Sequence, residues 1–398
     1  MARPKRLPAP VTSTVGEEAI RGGAEGMNDN QTMETQAKSL ATALQALIQA
    51  RLAADGGWLP FDRFMALALY APGLGYYAAG QGQIGRMPEQ GSDFVTAPEM
   101  SSYFGKALAS SVAEALAHTQ TRSVLEFGAG NGTLAAQLLD ALGDAVQSYT
   151  IVEVSSALRE RQAQTLAAFG SRVQWISELP DSIRAVVVGN EVLDAMPVKL
   201  LQRAAGVWHE RGVVWDEATS GFAWQDHPTD ERPPLAIEGT HDYLTEIHPQ
   251  AQAFIRSVGE RLHSGAMFLI DYGFPEAEYY HAQRHMGTLM CHQAHRSDSD
   301  PLQSVGLKDI TAHVDFTGVA LAAQEVGLEV LGYTSQAHFL LNSGLLGLLE
   351  NASVQDKAMA QKLITEHEMG ELFKVIALGR GQAWQLLGFV QGDRTHRL

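Results

Sequence analysis

The sequence has a single cysteine, few basic residues and no long apolar run, and each shortage argues against a class of protein. Cys291 is the only cysteine among 398 residues, so the chain has neither an internal disulfide framework nor a cysteine-based structural zinc site. No uninterrupted run of about 18 apolar residues occurs, so no membrane-spanning helix is predicted. The 29 Lys and Arg against 45 Asp and Glu give a net charge of −16, which is unfavourable for general binding to phosphates. We therefore expect a globular protein with no nucleic-acid partner.

The first 34 residues have the composition of a disordered tail. They are rich in proline, glycine and polar residues and lack the apolar core of a secretory signal. The basic residues Arg3, Lys5 and Arg6 are compatible with a mitochondrial transit peptide, although Glu17 and Glu18 weaken that interpretation. We expect a cytoplasmic protein, with the mitochondrial matrix as the alternative if the N-terminus is a transit peptide.

Residues 35–110 are predicted to form an N-terminal helical and lid segment. Apolar residues recur at helical spacing over residues 35–54 and again over 61–70. The stretch 71–100 is glycine-rich and too long for an ordinary connector, and such loops are commonly functional. It is predicted to close over a ligand.

From residue 111 onwards the pattern alternates between apolar strands and helices. Near-continuous apolar strands joined by helices indicate an α/β fold with a Rossmann-like, largely parallel sheet covered on both faces. The β-rich insertions are expected at about 198–230, where turn residues suggest hairpins, and at 274–314. About seven strands are predicted: six near residues 123–128, 148–155, 173–177, 185–192, 267–273 and 373–379, and one that follows a helix within residues 319–335.

A glycine-rich loop, LEFGAGNGTL at 125–134, joins the first of these strands to the first helix. Glycines at such a turn let the backbone approach a ligand that a Cβ atom would exclude. The dinucleotide fingerprint G-x-G-x-x-G would require glycine at position 133, where this chain has Thr133. The spacing therefore disfavours an NAD-dependent oxidoreductase.

Glu126 precedes the first glycine by two residues, and the resulting Glu-x-Gly-x-Gly-x-Gly pattern resembles the first motif of class I S-adenosylmethionine-dependent methyltransferases. The resemblance implies a loop that holds the amino-acid end of S-adenosyl-L-methionine, with the Glu126 carboxylate facing its ammonium. Glu153, at the end of the second strand, can accept hydrogen bonds from ribose hydroxyls. The predicted cofactor-binding residues in these two strand ends are Glu126, Gly128, Ala129, Gly130, Gly132, Glu153 and Val154.

Five separated segments together resemble the MidA family of class I methyltransferases, which includes a mitochondrial protein arginine methyltransferase. They are GSDFVTAPEMSSYFG (91–105), VLEFGAGNGTLA, VVGNEVLDAMPV (187–198), FLIDYG (268–273) and GLKDITAHVDFT (306–317). The resemblance implies a seven-stranded class I methyltransferase sheet and methyl transfer to arginine of a protein. It does not identify the partner protein.

The resemblance places the acceptor site at the end of the fourth strand, beside the transferable methyl. Asn190, Glu191 and Asp194 follow that strand. Glu191 is the first choice for binding a guanidinium, and it is also predicted to contact the cofactor. Asp271 ends the fifth strand at the same rim and completes the catalytic candidates. Two plainer interpretations stay open: Asp194 caps a helix, and Asn190 only satisfies loop backbone groups.

The lid and the second insertion supply the remaining candidates. Asp93 and Thr96 are assigned to the cofactor, with Glu99 beside them. His313 and Asp315 are candidates for the wall of the site, although a helix cap is the plainer role for Asp315. No metal is expected, because the spacing of the remaining histidines and the cysteine fits no strong zinc pattern: His281, His285, Cys291, His292 and His295.

These observations predict a methyltransferase that uses S-adenosyl-L-methionine and modifies an arginine of a partner protein. A different acceptor, either a small molecule or another protein group, is the nearest alternative. A non-catalytic assembly factor on a methyltransferase scaffold is the other, and the intact motif residues count against it.

Overall fold

The computed structural model describes residues 18–79, 95–293, 296–381 and 384–398, with side chains from residue 35. The seven predicted strands are present in one central sheet, which confirms the predicted α/β architecture. They are β1 Ser123–Phe127, β2 Ser148–Val152, β3 Val173–Ile176, β4 Val186–Asn190, β5 Ala266–Phe274, β6 Leu328–Ser335 and β7 Phe373–Arg380. Their order across the sheet is β6-β7-β5-β4-β1-β2-β3, and Val314–Asp315 adds a short eighth strand beside the end of β5.

One strand departs from the parallel arrangement that the sequence suggested. β7 lies between β5 and β6 and is antiparallel to both. The helices that follow β6 do not carry the chain back across the sheet, so β7 starts at the edge where β6 ends. The other strands are parallel, so the carboxyl ends of β1, β2, β4 and β5 meet at one edge.

The sheet is buried on both faces because successive side chains of its strands point in opposite directions. In β4, Val186 and Val188 join one apolar core, whereas Val187 joins the other. The first core includes helices Ser102–Thr119, Thr133–Leu142, Gln336–Asn342 and Val354–Ile364; the second includes Pro249–Arg261 and Phe316–Glu325.

A second lobe combines the N-terminal helices with both insertions. Helices Glu18–Ala54 and Phe61–Tyr70 share an apolar core with Val213, Ile310 and the buried Cys291. The first insertion is an antiparallel sheet of Lys199–Ala204, Val207–Asp216, Gly221–Pro228 and Tyr243–Ile247, joined by Leu59–Pro60. The second insertion carries helix Glu276–Tyr279 and strands Met290–Gln293, Arg296–Asp298 and Asp309–Thr311.

Short elements complete the chain: helices Ser156–Thr165, Ala97–Met100 and Leu345–Leu348, and a parallel pair of strands, Ile183–Arg184 and Leu262–Ser264. Single helical turns lie at Gly143–Ala145, Ala167–Arg172, Glu366–Gly370, Leu387–Phe389 and Thr395–Arg397. In the described part of the chain, no helix combines the length and the apolar character needed to cross a bilayer.

Three predicted boundaries differ from the structure. The N-terminal helix begins at Glu18, so it starts within the stretch 1–34 that we expected to be a disordered tail. The boundary expected at residue 110 falls inside helix Ser102–Thr119. The whole helix belongs with the central sheet, because its buried side chains pack there rather than in the N-terminal lobe. The first insertion continues past residue 230 to Ile247. Half of the predicted lid, residues 80–94, lies outside the described residues.

Candidate functional site

A cavity of about 780 Å³ lies at the edge where the parallel strands end. Its walls include the ends of β1, β2 and β4 and parts of both the N-terminal lobe and the second insertion. Open α/β sheets bind ligands at this edge, and a cavity of this size holds a nucleoside-sized molecule. The cavity is therefore the candidate site.

The glycine-rich loop lines the cavity with backbone in the left-handed region. Gly128 and Gly130 have φ angles of +64° and +55°. A Cβ atom on Gly128 would lie 2.8 Å from Cγ2 of Val192, so this glycine lets the cofactor loop and the 191–196 loop touch. Ala129 also lines the cavity, as expected. Gly132, in contrast, lies outside the lining: its φ of +88° starts the helix at Thr133, so its role is the turn rather than ligand contact.

Glu126 lies at the cavity wall beneath this loop, and its side chain is buried. The Tyr149 hydroxyl donates a hydrogen bond to Oε2 of Glu126 at 2.7 Å. Burial raises the pKa of Glu126 to about 7, although the Tyr149 hydrogen bond opposes this shift. A positive group of a bound ligand would favour the charged form, which fits the predicted role opposite an ammonium.

Glu153 is held in place by a buried glutamine that the sequence reasoning missed. Its Oε1 accepts the Ser155 N–H at 2.8 Å, and its Oε2 accepts the Gln162 side-chain amide at 3.2 Å. The same Gln162 amide also donates to the Gly130 carbonyl at 2.9 Å, and its oxygen accepts the Trp175 indole N–H. Gln162 thus joins the glycine loop to the candidate ribose acceptor. Val154 lines the cavity with an exposed side chain.

The acceptor candidates Asn190, Glu191 and Asp194 all line the cavity. Glu191 has a φ angle of +54°, which is unusual for a residue with a side chain, and its N–H donates to the Ile270 carbonyl at 2.8 Å. Such strained positions persist where the surrounding structure fixes them and are concentrated at functional sites. The Asn190 amide donates to Oε1 of Glu191 at 2.9 Å and so orients its carboxyl group.

Two oxygens in this group have no hydrogen-bond donor among the described residues. They are Oδ1 of Asn190 and Oδ1 of Asp194, both buried. Burial, followed by repulsion from Asp194, raises the pKa of Glu191 to about 8, and burial raises that of Asp194 to about 6. A buried acceptor without a donor is costly, so a ligand that carries N–H groups and positive charge would stabilise this loop.

Asp271, which we predicted to be catalytic, bonds to the backbone of the 191–196 loop instead of lining the cavity. It is buried behind the loop and is not part of the cavity wall. Its Oδ2 accepts the N–H groups of Val192, Leu193 and Asp194 at 3.1, 2.8 and 3.3 Å. The carboxyl group therefore positions the loop of residues 191–196, which we call the acceptor loop because it carries the acceptor candidates Glu191 and Asp194.

The two helix-cap interpretations have opposite outcomes. No helix begins after Asp194, so it is not a cap; its carbonyl instead accepts the Ala312 N–H at 2.9 Å. Asp315 does cap a helix, because its carboxylate accepts the Gly318 N–H at 3.1 Å, and it is not part of the cavity wall.

The part of the predicted lid that is described also reaches the cavity. Thr96 and Glu99 line it and form a capping box, in which the Thr96 N–H donates to Oε2 of Glu99 at 3.3 Å. Asp93 lies outside the described residues. His292 and His313 line the cavity, whereas the described part of the chain contains no group of residues arranged to hold a metal ion. His295 is also outside the described residues.

Sequence reasoning also missed Tyr70, Tyr77, Tyr272 and Asp309, which line the cavity. Asp309 lies within the segment 306–317 that carried the family resemblance, and Tyr272 follows Asp271, so both had a local signal. Tyr70 and Tyr77 had only their position in an aromatic, glycine-rich stretch.

The described cavity wall carries carboxylates without a lysine or an arginine. The six acidic residues that line it are Glu99, Glu126, Glu153, Glu191, Asp194 and Asp309. Glu126 and Glu153 lie with the glycine loop, whereas Asp194, Glu99 and Asp309 each raise the pKa of Glu191. The cavity is thus suited to cationic ligands on both sides.

The proteins that this chain resembles are methyltransferases, whose cofactor carries the positive charges that an acidic cavity can bind. Residues 107–334 match the model of a family described as putative S-adenosyl-L-methionine-dependent methyltransferase. A zebrafish (Danio rerio) relative named protein arginine methyltransferase NDUFAF7, mitochondrial, is 27% identical over 350 residues, covering 79% of this chain and 80% of the relative. The human protein of the same name is 28% identical over 375 residues, with 81% and 80% covered.

A solved structure supports the cofactor assignment. The crystal structure of a Burkholderia thailandensis protein bound to S-adenosyl-homocysteine is 47% identical, with a TM-score of 0.86, and the match covers 91% of this chain and 98% of that one. The family match and this structure agree with the glycine loop and with the two acids beside it, Glu126 and Glu153. The chain belongs to the MidA family of class I methyltransferases and uses S-adenosyl-L-methionine as its methyl donor.

Proposed function

We propose that this methyltransferase transfers the methyl group to an arginine side chain of a partner protein. The observation that carries the proposal is the acceptor side of the cavity, where Glu191, Asp194 and Asp309 meet without a described lysine or arginine in the wall. Arginine is always cationic, and its planar guanidinium matches carboxylates in bidentate geometry. The donor-less oxygens of Asn190 and Asp194 would accept its N–H groups.

The chain's residues divide the reaction between two sides of the cavity. S-adenosyl-L-methionine supplies a methyl group on a sulfonium. The glycine loop and Glu153 would hold this cofactor, and the 191–196 loop would align the acceptor nitrogen for in-line attack, where alignment supplies much of the acceleration. As the N–C bond forms and the S–C bond breaks, the nitrogen loses a proton. Glu191 can accept it in its carboxylate form, which the positive charges of the bound cofactor and acceptor favour.

The curated relatives support an arginine acceptor through their names, and those names also call them mitochondrial. They favour the mitochondrial alternative over the cytoplasmic location that we expected. A scaffold without catalysis is less well supported, because the chain matches a methyltransferase family model and a crystal structure bound to S-adenosyl-homocysteine.

The direct test is to incubate the purified protein and tritiated S-adenosyl-L-methionine with a protein extract of the source cells, and then to hydrolyse the labelled protein. We expect the label in methylarginine. Gly130→Val is the control, since a side chain in the glycine loop would block the cofactor. Label confined to another amino acid or to small molecules would refute the arginine acceptor.

The pH dependence of transfer provides a separate prediction. If the Glu191 carboxylate binds the acceptor, kcat/KM for the acceptor should rise with pH, about tenfold per unit below the pKa of Glu191, and level off above it. The sulfonium of bound cofactor lowers that pKa, so the midpoint should lie between 4.5 and about 8. Arginine does not titrate in this range. A flat profile from about pH 4 to about pH 9, measured at saturating cofactor, would contradict this role.

A further inference from the structure

Three residues from outside the central sheet meet at the acceptor side of the cavity. Tyr70 ends a helix of the N-terminal lobe, Tyr77 follows it, and Asp309 begins a strand of the second insertion. All three line the cavity, and Tyr70 is 41% exposed whereas Asp309 is buried, so Tyr70 lies nearer the solvent. None of them belongs to the glycine loop or to the 190–196 segment.

The contacts of these residues hold them in a defined arrangement. The Tyr77 hydroxyl donates to Oδ1 of Asp309 at 2.7 Å, across 232 residues of sequence. The rings of Tyr70 and Tyr77 stack, with centroids 5.5 Å apart and planes inclined by 20°. The Tyr70 hydroxyl donates to the Ala195 carbonyl at 2.9 Å, so the stacked pair is attached to the acceptor loop.

Asp309 also belongs to the same electrostatic group as the acceptor residues. It contributes to the raised pKa of Glu191 and, after burial, is the largest cause of the raised pKa of Tyr77. Tyr77 therefore remains a neutral hydrogen-bond donor that orients the Asp309 carboxyl group. The buried Oδ1 of Asp194 has no donor among the described residues, so it is available to accept an N–H group of a ligand.

We propose that Tyr70, Tyr77 and Asp309 form an outer acceptor subsite that selects a planar guanidinium over a tetrahedral ammonium. This inference rests on the proposed arginine acceptor and assigns its selectivity to the second lobe. A guanidinium can stack its plane on an aromatic ring while its N–H fork meets a carboxylate, whereas an ammonium is a compact, strongly hydrated point charge with neither a plane to stack nor a paired fork. The Tyr70 ring, nearer the solvent, would meet the side chain as it enters, and Asp309 would bind it further in.

The first test compares Asp309→Asn and Tyr77→Phe with the parent, using tritiated S-adenosyl-L-methionine and source-cell extract as acceptor. Asp309→Asn keeps an oxygen for Tyr77 but removes the charge, and a lost charge-assisted hydrogen bond should raise the half-saturating extract concentration about tenfold or more. Tyr77→Phe should raise it less, because the carboxylate remains. Affinity for S-adenosyl-homocysteine, measured by calorimetry, should stay within about twofold in both. Tyr243→Phe is the matched control, since its hydroxyl donates to the His281 carbonyl away from the cavity.

The second test measures selectivity directly with two small cations, ethylguanidine and n-butylamine, as inhibitors of the same transfer. The parent should be inhibited at lower concentrations by ethylguanidine. Tyr70→Leu should reduce that preference by about two- to thirtyfold, the range of a lost cation–π contact, whereas Tyr70→Phe should largely keep it. A structural role for Tyr70 would alter overall activity without changing the ratio.

The possible outcomes separate this inference from the proposed function. If the parent labels arginine but Asp309→Asn keeps the parent half-saturating concentration, or Tyr70→Leu keeps the parent ratio, the outer subsite is wrong and the arginine acceptor stands. If the parent labels no arginine, both are wrong. A variant that loses affinity for S-adenosyl-homocysteine as well would show that the subsite residues support the whole cavity, which would also overturn their selective role.

Discussion

Glu191→Gln is expected to lose methyl transfer by about ten- to a hundredfold or more while keeping its affinity for S-adenosyl-homocysteine. Glutamine keeps the shape and the oxygen that accepts the Asn190 amide at 2.9 Å. It cannot carry the negative charge that pairs with a guanidinium, and a hydrogen bond to a charged group contributes about 1.5–3 kcal/mol. Each 1.36 kcal/mol changes the rate tenfold, which gives the expected range.

The raised pKa of Glu191 makes this substitution informative in both directions. Without a ligand, burial and the nearby Asp194 raise the pKa to about 8, so the resting group is largely the neutral acid at pH 7. Glutamine resembles that neutral form. Transfer at the parent rate would therefore show that the ionised carboxylate is not required, and the acceptor site proposed here would be wrong.

Gly130→Val provides the matched comparison on the cofactor side. Gly130 lines the cavity with a φ angle of +55°, so a β-branched side chain is strained there and occupies ligand space. We expect it to abolish binding of S-adenosyl-homocysteine, measured by calorimetry. If Glu191→Gln loses the cofactor as severely, Glu191 belongs to the cofactor site instead.

The sequence was sufficient for the parts of the site that depend on neighbouring residues. A strand, a glycine turn and a helix follow one another over residues 123–142, so Glu126, Ala129 and Gly130 could be placed from local pattern alone. Parallel strands end at a shared edge, which brought Glu153 and Glu191 to the same cavity. The one antiparallel strand, β7, was missed because strand direction depends on the path of the connection and not on the residues of the strand.

The acceptor wall could not be predicted because its contacts join distant segments. Tyr77 meets Asp309 through a hydrogen bond that spans 232 residues, and Tyr70 meets Ala195 across 125. No local sequence pattern predicts either contact. Asp271 shows a related limit: its place at the end of β5 follows from the sequence, but the direction of its side chain depends on the loop that packs against it.

Asp271 is therefore expected to tolerate asparagine but not leucine, an outcome that a catalytic carboxylate would not give. Burial, followed by repulsion from Asp194 and Glu191, raises the pKa of Asp271 well above its ordinary value, so a neutral side chain is close to its resting state. Asparagine keeps one oxygen for the three N–H groups of residues 192–194. Its amide no longer accepts the Tyr272 N–H, which Oδ1 of Asp271 does at 3.0 Å, and this should reduce stability modestly.

Asp271→Leu leaves all four N–H groups without this acceptor, and each buried donor without a partner costs about 1–3 kcal/mol. We expect a lower melting temperature and a loss of transfer on the order of a hundredfold, because a displacement of about 1 Å at the acceptor loop is enough for such a change. Asp315→Ala is the control: it removes a helix cap outside the cavity, which costs about 1 kcal/mol and should leave transfer near the parent rate below the melting transition. The measurements are thermal unfolding and kcat for each variant at a temperature where all are folded. Equal, severe losses of kcat in Asp271→Asn and Asp271→Leu, without a difference in stability, would restore Asp271 to a direct part in the reaction.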